Sequence, residues 1–294
     1  MTRNDAPDVW EYSLLKGAVC LGLAGAAFVL IAGIVRWLSG SVPLLQIAFI
    51  QPIVVVALVA LPRAVSGQVR MTSVGHGRHM VRAMLTGAAI LLGFLAVSHM
   101  PVAEVTAILF SRMVFTAILA RIWLGERFSL VKAMGIAVAA AGVVVVLDPS
   151  FGEVNIYGWA AVGSAAAMSL SMLMIRWMRS EPREAIVGRQ AIWLAAGLAP
   201  GAISVWADVS WMELAGCLAT GLLLWFSQHM NVFAFRYAEP SAIQPVEAFR
   251  LVVALVIDLA VFGILPEDQT MLGGALVVLA TGIVIFGRRD GGRN

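Results

Sequence analysis

Two arginines interrupt long apolar segments of the sequence, each shortly after a proline. Arg112 follows Pro101 in "PVAEVTAILFSR", and Arg250 follows Pro240 in "PSAIQPVEAFR". A planar guanidinium group binds a carboxylate or phosphate through two parallel hydrogen bonds, which the ammonium group of lysine cannot reproduce. Two such cations at one depth in a medium of low dielectric constant attract negative charge strongly. The spacing therefore predicts a binding site for an anionic group.

Further polar side chains share the apolar segment that contains Arg250. At about 100° per residue, one helical stripe about 120° wide contains Gln244, Glu247, Arg250 and Asp258. This alignment predicts the wall of a water-filled cavity, in which Glu247 and Asp258 are candidate groups for proton coupling. The alternative is that Glu247 and Arg250, three residues apart, neutralise each other.

Aromatic residues offer apolar surface for the remainder of a ligand. Trp225 and His229 are four residues apart in "LWFSQHMN", so one helix face carries both rings. A packing role for His229, and an ion pair between Arg112 and Glu247, are the structural alternatives. The predicted substrate site consists of Arg112, Arg250, Glu247, Gln244, Trp225, His229 and Phe115.

The elements that position these residues are predicted to be membrane-spanning helices. Of the 294 residues, 61% are hydrophobic and 13% are charged, against about 25% charged residues in soluble domains. A helix crosses the hydrocarbon core, roughly 30 Å thick, with about 20 apolar residues. The apolar segments predict an all-α integral membrane protein with ten transmembrane helices, near 13–37, 43–62, 80–100, 102–124, 131–148, 157–178, 186–206, 213–236, 241–264 and 271–287.

The positive charges predict the orientation of these helices. With a cytoplasmic N-terminus, every Lys and Arg except Arg36, Arg112 and Arg250 lies on the cytoplasmic side. The positive-inside rule thus predicts a multi-pass inner-membrane protein with cytoplasmic N- and C-termini. Because this topology accounts for the location of the basic residues, the net charge of +3 does not indicate a nucleic-acid partner. Segment 63–82 is expected to be a solvated basic loop and not a metal site, because its two histidines lack a convergent Cys or carboxylate.

The sequence also repeats itself. A shift of 139 residues places Pro101 on Pro240 and Phe110 on Phe249. Residues 1–150 and 151–294 are therefore predicted to be two five-helix repeats, and an odd number of helices gives them opposite orientations in the membrane. Inverted repeats are typical of secondary transporters, in which the substrate binds near the midplane between the two halves.

Three segments carry a family resemblance. They are "LARIWLGERFSLVKAMGIAVAAAGVVVVL" at 119–147, "SAIQPVEAFRLV" at 241–252 and "LPEDQTMLGGALVVLATGIVIFGRR" at 265–289. The chain resembles the EamA-type ten-helix branch of the drug/metabolite transporter superfamily over nearly its whole length. The resemblance implies a transporter and leaves the substrate open, since members move amino acids, cofactors, nucleotide-linked metabolites or drugs. Many members have a proline in the middle of helix 4, where this chain has Met113.

Together these features predict a secondary transporter that moves a small polar or amphipathic metabolite, amino-acid-like or cofactor-like and with an anionic group, by alternating access. The alternative is a flippase for a lipid or a lipid-linked substrate. No enzyme activity and no cofactor are expected, because zinc-protease, nucleophile-elbow and phosphate-loop motifs are missing from the sequence. The expected partners are a small-molecule substrate and the lipid bilayer, with proton coupling as the candidate driving force and a monomer or homodimer as the assembly.

Overall fold

The fold is a bundle of α-helices. The computed structural model describes residues 13–65, 76–112, 115–116, 118–119, 122, 130–147, 156–177, 183–237, 246 and 249–286. These residues contain no strand, which confirms the predicted all-α class. They form α1 (Leu14–Leu38), α2 (Leu44–Val65), α3 (His76–His99), α4 (Val102–Leu109), α5 (Leu130–Leu147), α6 (Ile156–Trp177), α7 (Arg183–Ser204), α8 (Trp211–Tyr237), α9 (Phe249–Phe262) and α10 (Asp268–Phe286).

The apolar character of the helices fits a membrane protein. Within the described residues, three helices are long and apolar enough to cross a bilayer, namely Leu15–Leu38, His76–His99 and Ile156–Met174, with mean hydropathies of 2.6, 2.0 and 1.3. Leu44–Val59 and Asp268–Ala280 are shorter apolar stretches. Many large apolar side chains remain exposed on the bundle, as is expected of a surface that lipid covers.

Helix contacts are made through small residues and hydroxyl groups. The Ser227 hydroxyl of α8 donates to the Ala24 carbonyl of α1 at 2.9 Å, and the Ser164 hydroxyl of α6 donates to the Ala89 carbonyl of α3 at 2.6 Å. Further packing pairs are α2 with α7, α2 with α8, α3 with α7, α4 with α9, and α5 with α10. Helices from the two halves of the chain therefore pack against each other throughout the bundle.

The connections lie at two ends of the bundle, which we call the acidic end and the basic end. The acidic end holds residues 39–43, 100–101, 205–210 and 263–267, and the basic end holds the start of α1 and the end of α8. At the acidic end, the Gln46 side chain exchanges two hydrogen bonds of 3.0 Å with the backbone of Ala207. At the basic end, the Ser13 amide donates to the Tyr237 carbonyl at 2.9 Å. At each end of the bundle, hydrogen bonds therefore join the first half of the chain to the second half.

Helix 4 is interrupted, so the prediction of one continuous helix is wrong. α4 ends at Leu109, and in the turn that follows the Ser111 amide donates to the Ile108 carbonyl at 2.9 Å. A bond between residues three apart indicates a locally tightened turn. The Phe115 amide then donates to the Ser111 carbonyl at 3.1 Å, so α-helical bonding resumes. Arg112 therefore stands directly after the interruption.

The connection before α3 also differs from the prediction. α3 begins at His76 and not near residue 80, and the side chains of His79 and Arg82 are buried. The prediction of a solvated loop is wrong for this part of segment 63–82. The physical reason lies on α7, where the guanidinium of Arg189 stands 3.5 Å from the Nε2 atom of His79. The described residues hold no group of three His, Cys, Asp or Glu that could bind a metal ion.

Candidate substrate site

Arg250 is buried against α1. Its side chain is 8% exposed and passes so close to Gly25 that a Cβ atom there would stand 2.7 Å from Cγ and Nε of the arginine. Its guanidinium carbon lies 5.6 Å from the centre of the Phe28 ring, within the range of a cation–π contact. Arg250 is the second residue of α9. Gly25 therefore makes the room that the arginine occupies.

Arg112 is held through its backbone. Its carbonyl accepts hydrogen bonds from the Thr116 hydroxyl at 2.7 Å and from the Ser169 hydroxyl of α6 at 2.8 Å, and its side chain is half-buried. At 1.5 Å per residue, Arg112 lies about 15 Å from the acidic-end start of α4, and Arg250 lies about 18 Å from the acidic-end terminus of α9. Both arginines thus lie at similar depth, near half of the roughly 30 Å hydrocarbon core.

Asp258 has a contact that the sequence pattern missed. Its carboxylate is 2% exposed, and its two oxygens accept from the backbone amides of Val102 at 3.0 Å and Ala103 at 2.6 Å. These amides begin α4, where unpaired N–H groups and the helix dipole favour a negative charge. Asp258 therefore caps α4 from a neighbouring helix.

The predicted polar stripe on helix 9 is only partly described. Gln244 and Glu247 lie outside the described residues. Arg250 and Asp258 are buried in contacts with α1 and α4, so in this conformation they do not form the water-lined wall that the pattern predicted. Helix contacts explain the difference, because a wheel of one helix does not show which neighbours cover it.

Arg36 also makes contacts that the sequence pattern did not predict. Its guanidinium donates to the carbonyl of Met100, which follows the end of α3, and lies 5.0 Å from the centre of the Phe262 ring. Carbonyls at a helix C-terminus favour a cation. Arg36 and Asp258 thus hold the short turn between α3 and α4 from two sides, and we call these two residues and the turn the acidic-end clamp. The sequence held one sign of this contact. Apart from Arg112 and Arg250, which lie within apolar segments, Arg36 is the one basic residue that is not on the cytoplasmic side of the predicted topology.

Trp225 and His229 lie side by side on α8, as their spacing predicts. The ring centres are 4.3 Å apart, and Nδ1 of His229 is 2.9 Å from the Trp225 carbonyl. This bond requires a hydrogen on Nδ1, which leaves Nε2 as an acceptor in the neutral ring. On the helix, both residues lie within about 60° of Leu222, which is 50% exposed. Their face therefore borders the surface of the bundle. Phe115, the other predicted aromatic contact, is half-buried.

A buried polar cluster between α3, α6 and α7 was also missed. The Gln190 amide donates to the Thr86 hydroxyl at 2.8 Å, and that hydroxyl lies 2.7 Å from the hydroxyl of Ser171. The three residues belong to α7, α3 and α6, and all are buried. No pattern along one helix could reveal this cluster, because its members are separated by 85 and 104 positions in the sequence.

Comparison with known proteins identifies the class. Residues 15–148 match the EamA-like transporter family. A riboflavin transporter of Brucella anthropi is 23% identical over 86% of this chain and 90% of its own length. An S-adenosylmethionine uptake transporter of Rickettsia bellii is 26% identical over 72% of this chain and 73% of its own length. A crystal structure of another protein shares the fold with a TM-score of 0.66, at 17% identity over 92% of this chain and 98% of that one.

These matches confirm the predicted family. Residues 15–148 match the EamA-like transporter family, and together with the transporter relatives they support an EamA-type drug/metabolite transporter. It is a multi-pass membrane protein and a transporter of small metabolites, as are the relatives that span most of its length.

Proposed function

We propose that this protein is a secondary transporter for a metabolite with an anionic group, which Arg112 and Arg250 bind near the bilayer midplane. The observation that carries the proposal is the similar depth of these two cations on α9 and directly after α4, two helices that pack together. A charged side chain at this depth costs about 2.5–3.5 kcal/mol on insertion scales, so it is retained where it serves a function or a partner.

Alternating access between two inverted five-helix repeats is the proposed mechanism. If each helix corresponds to the helix five places away in the chain, α1 corresponds to α6 and α8 corresponds to α3. The contact of α1 with α8 then corresponds to the contact of α6 with α3. The hydroxyl bonds between these helices, from Ser227 to Ala24 and from Ser164 to Ala89, agree with this correspondence. A shift of 139 residues places Ala24 one position before Ser164, and it places Ala89 one position after Ser227. This correspondence supports a pseudo-two-fold axis between residues 1–150 and 151–294, with the arginines of helices 4 and 9 beside it.

The substrates in the names of the relatives suggest suitable probes. Riboflavin has a flat aromatic ring and hydroxyl groups but no anionic group at neutral pH, whereas S-adenosylmethionine carries a carboxylate. Flavin mononucleotide is riboflavin with one added phosphate. The two flavins therefore differ by the one group that the arginines are proposed to bind, and the flavin ring suits the aromatic pair Trp225 and His229.

The binding test compares these two flavins. The wild-type protein is expected to bind flavin mononucleotide more tightly than riboflavin. Arg112→Lys and Arg250→Lys should each weaken binding of the phosphate form by about tenfold or more, because lysine loses one of two parallel charge-assisted hydrogen bonds. Riboflavin affinity should change little. The measurement is the dissociation constant of each flavin, with thermal unfolding as the check on folding.

Arg78→Lys is the matched control, because Arg78 is an exposed arginine on α3. It should leave both affinities unchanged. Equal affinities for the two flavins in the wild type, or an undiminished phosphate preference in both well-folded variants, would contradict the anion site.

A lipid flippase is the second candidate. The observation in its favour is an open apolar groove along α1, lined by Ala18, Val19, Gly22, Leu23, Ala26 and Val246. A lipid chain could lie in such a groove. Purified protein in vesicles with a fluorescent phospholipid separates the candidates, since a flippase accelerates exchange of the lipid between leaflets and a metabolite transporter leaves it unchanged.

A further inference from the structure

Ser111 departs from the way in which other hydroxyl groups of these helices are satisfied. The hydroxyls of Ser98, Thr116 and Thr220 each donate to a carbonyl three or four residues earlier on the same helix, and the hydroxyl of Ser169 lies 2.8 Å from the carbonyls of both Ala165 and Arg112. Ser164 and Ser227 donate to a neighbouring helix. Ser111 is 5% exposed, and its hydroxyl has no hydrogen-bond partner among the described residues.

A buried hydroxyl without a partner is unfavourable in a membrane protein. The hydrocarbon core supplies no water to replace the missing bond, and native proteins leave few buried polar groups unsatisfied, so each exception calls for an explanation. A hydrogen bond to a transported solute is one such explanation. The Nε2 atom of Gln51 on α2 is also buried without a hydrogen-bond partner among the described residues. What distinguishes Ser111 is its place in the bundle.

Ser111 lies in the turn that interrupts helix 4, directly before Arg112. Interrupted helices near the midplane are a common way for transporters to build substrate sites. Neighbouring side chains on a helix diverge by about 100°, so Ser111 and Arg112 reach different parts of one ligand. The bonds from Thr116 and Ser169 fix the backbone of Arg112 between them.

We propose that Ser111 lines the transport path and forms a hydrogen bond with a neutral polar group of the solute, such as a hydroxyl, carbonyl or amide. This group lies next to the anionic group that Arg112 binds. The inference rests on the proposed function and extends it, because it assigns a second point of contact to the same solute.

Cysteine accessibility tests the proposal without knowledge of the substrate. Cys20 and Cys217, the two cysteines of the sequence, are first replaced by alanine. Ser111→Cys is then treated, in lipid nanodiscs open on both sides, with the small water-soluble reagent 2-sulfonatoethyl methanethiosulfonate. A side chain on the transport path becomes hydrated during the transport cycle and should react.

Thr220→Cys is the matched control, because Thr220 is a fully buried hydroxyl residue that bonds within its own helix. It should stay unmodified. Reaction of Ser111→Cys at a rate no higher than that of Thr220→Cys would overturn the proposal.

Ser111→Ala supplies a second, independent readout. This variant should unfold at the same temperature as the wild type or higher, since it removes an unpartnered hydroxyl. Its affinity for riboflavin and for flavin mononucleotide should fall alike, by about tenfold, because both carry the same neutral groups. A lower unfolding temperature with unchanged affinities would show that Ser111 is structural. A failure of the proposed anion site can be told apart from a failure of this proposal. Without an anion site, riboflavin and flavin mononucleotide would bind with equal affinity, whereas Ser111→Cys would still react.

Discussion

At the scale of single residues, ionisable side chains in the bundle bind helix ends and aromatic rings. The carboxylate of Asp258 accepts from the first amides of α4, and the guanidinium of Arg36 donates to a carbonyl after α3. Arg250 lies over the ring of Phe28. Backbone dipoles and ring faces lower the cost of a charge in a medium of low dielectric constant. These contacts explain how the bundle accommodates charge at depth.

The contact of Asp258 bears on the predicted proton coupling. Both of its oxygens accept backbone hydrogen bonds at the start of α4, so Asp258 already has a structural role. Glu247 is therefore the preferred candidate for the proton carrier. Glu247→Gln should abolish uptake driven by an imposed pH gradient and leave exchange of solute across the membrane intact, because a glutamine cannot take up the proton. The measurement is uptake into proteoliposomes with and without the gradient.

Glu267→Gln is the control for this prediction, since it removes an exposed carboxylate at the acidic end. It should retain gradient-driven uptake. Full concentrative uptake by Glu247→Gln across the pH range would exclude the proton role and favour sodium or exchange coupling.

At the scale of elements, the acidic-end clamp determines where helix 4 begins. α1 and α9 each supply one of its charged residues, so three parts of the chain meet at the turn between α3 and α4. Asp258→Asn should lower the free energy of unfolding by about 1–3 kcal/mol, because the amide nitrogen of asparagine cannot accept the second backbone hydrogen bond. Thermal unfolding in detergent measures the effect. Unfolding at the wild-type temperature would mean that the clamp contributes no stability.

Gly25 offers a test of how closely α1 approaches Arg250. The methyl group of Gly25→Ala would overlap the arginine side chain at 2.7 Å, whereas that of Gly22→Ala, one turn earlier, would stand 3.5 Å from its nearest neighbour, Val246. Gly25→Ala should displace Arg250 and weaken binding of flavin mononucleotide about as much as Arg250→Lys does. Gly22→Ala should bind like the wild type. Equal affinities of the two glycine variants would contradict the proposed role of this approach.

The sequence predicted the elements better than their contacts. Most helix boundaries agree to within a few residues, because the length of an apolar run is a local property. The pair of Trp225 and His229 was predicted for the same reason. The interruption after Leu109 and the partners of Arg36 were not predicted, because they depend on residues from distant parts of the chain.

At the scale of the whole molecule, the two ends of the bundle differ in charge, which sets the proposed orientation. Cysteines introduced at Ser150 and Gln269, in a background without the native cysteines, should react with an impermeant reagent added outside intact cells. A cysteine at Ser73 should react only after the membrane is opened, because lysine and arginine near the ends of membrane helices favour the cytoplasmic side. Labelling of Ser73 alone from outside would reverse the proposed topology.

Transport by the purified protein tests the central claim most directly. Proteoliposomes loaded with unlabelled flavin mononucleotide should take up the labelled compound by counterflow, with saturation and well above protein-free liposomes. The double variant Arg112→Lys/Arg250→Lys should reduce this uptake to near background while it still folds. Uptake at the background level for flavin mononucleotide, riboflavin and S-adenosylmethionine alike, together with accelerated exchange of a fluorescent phospholipid, would contradict the account and identify a flippase instead.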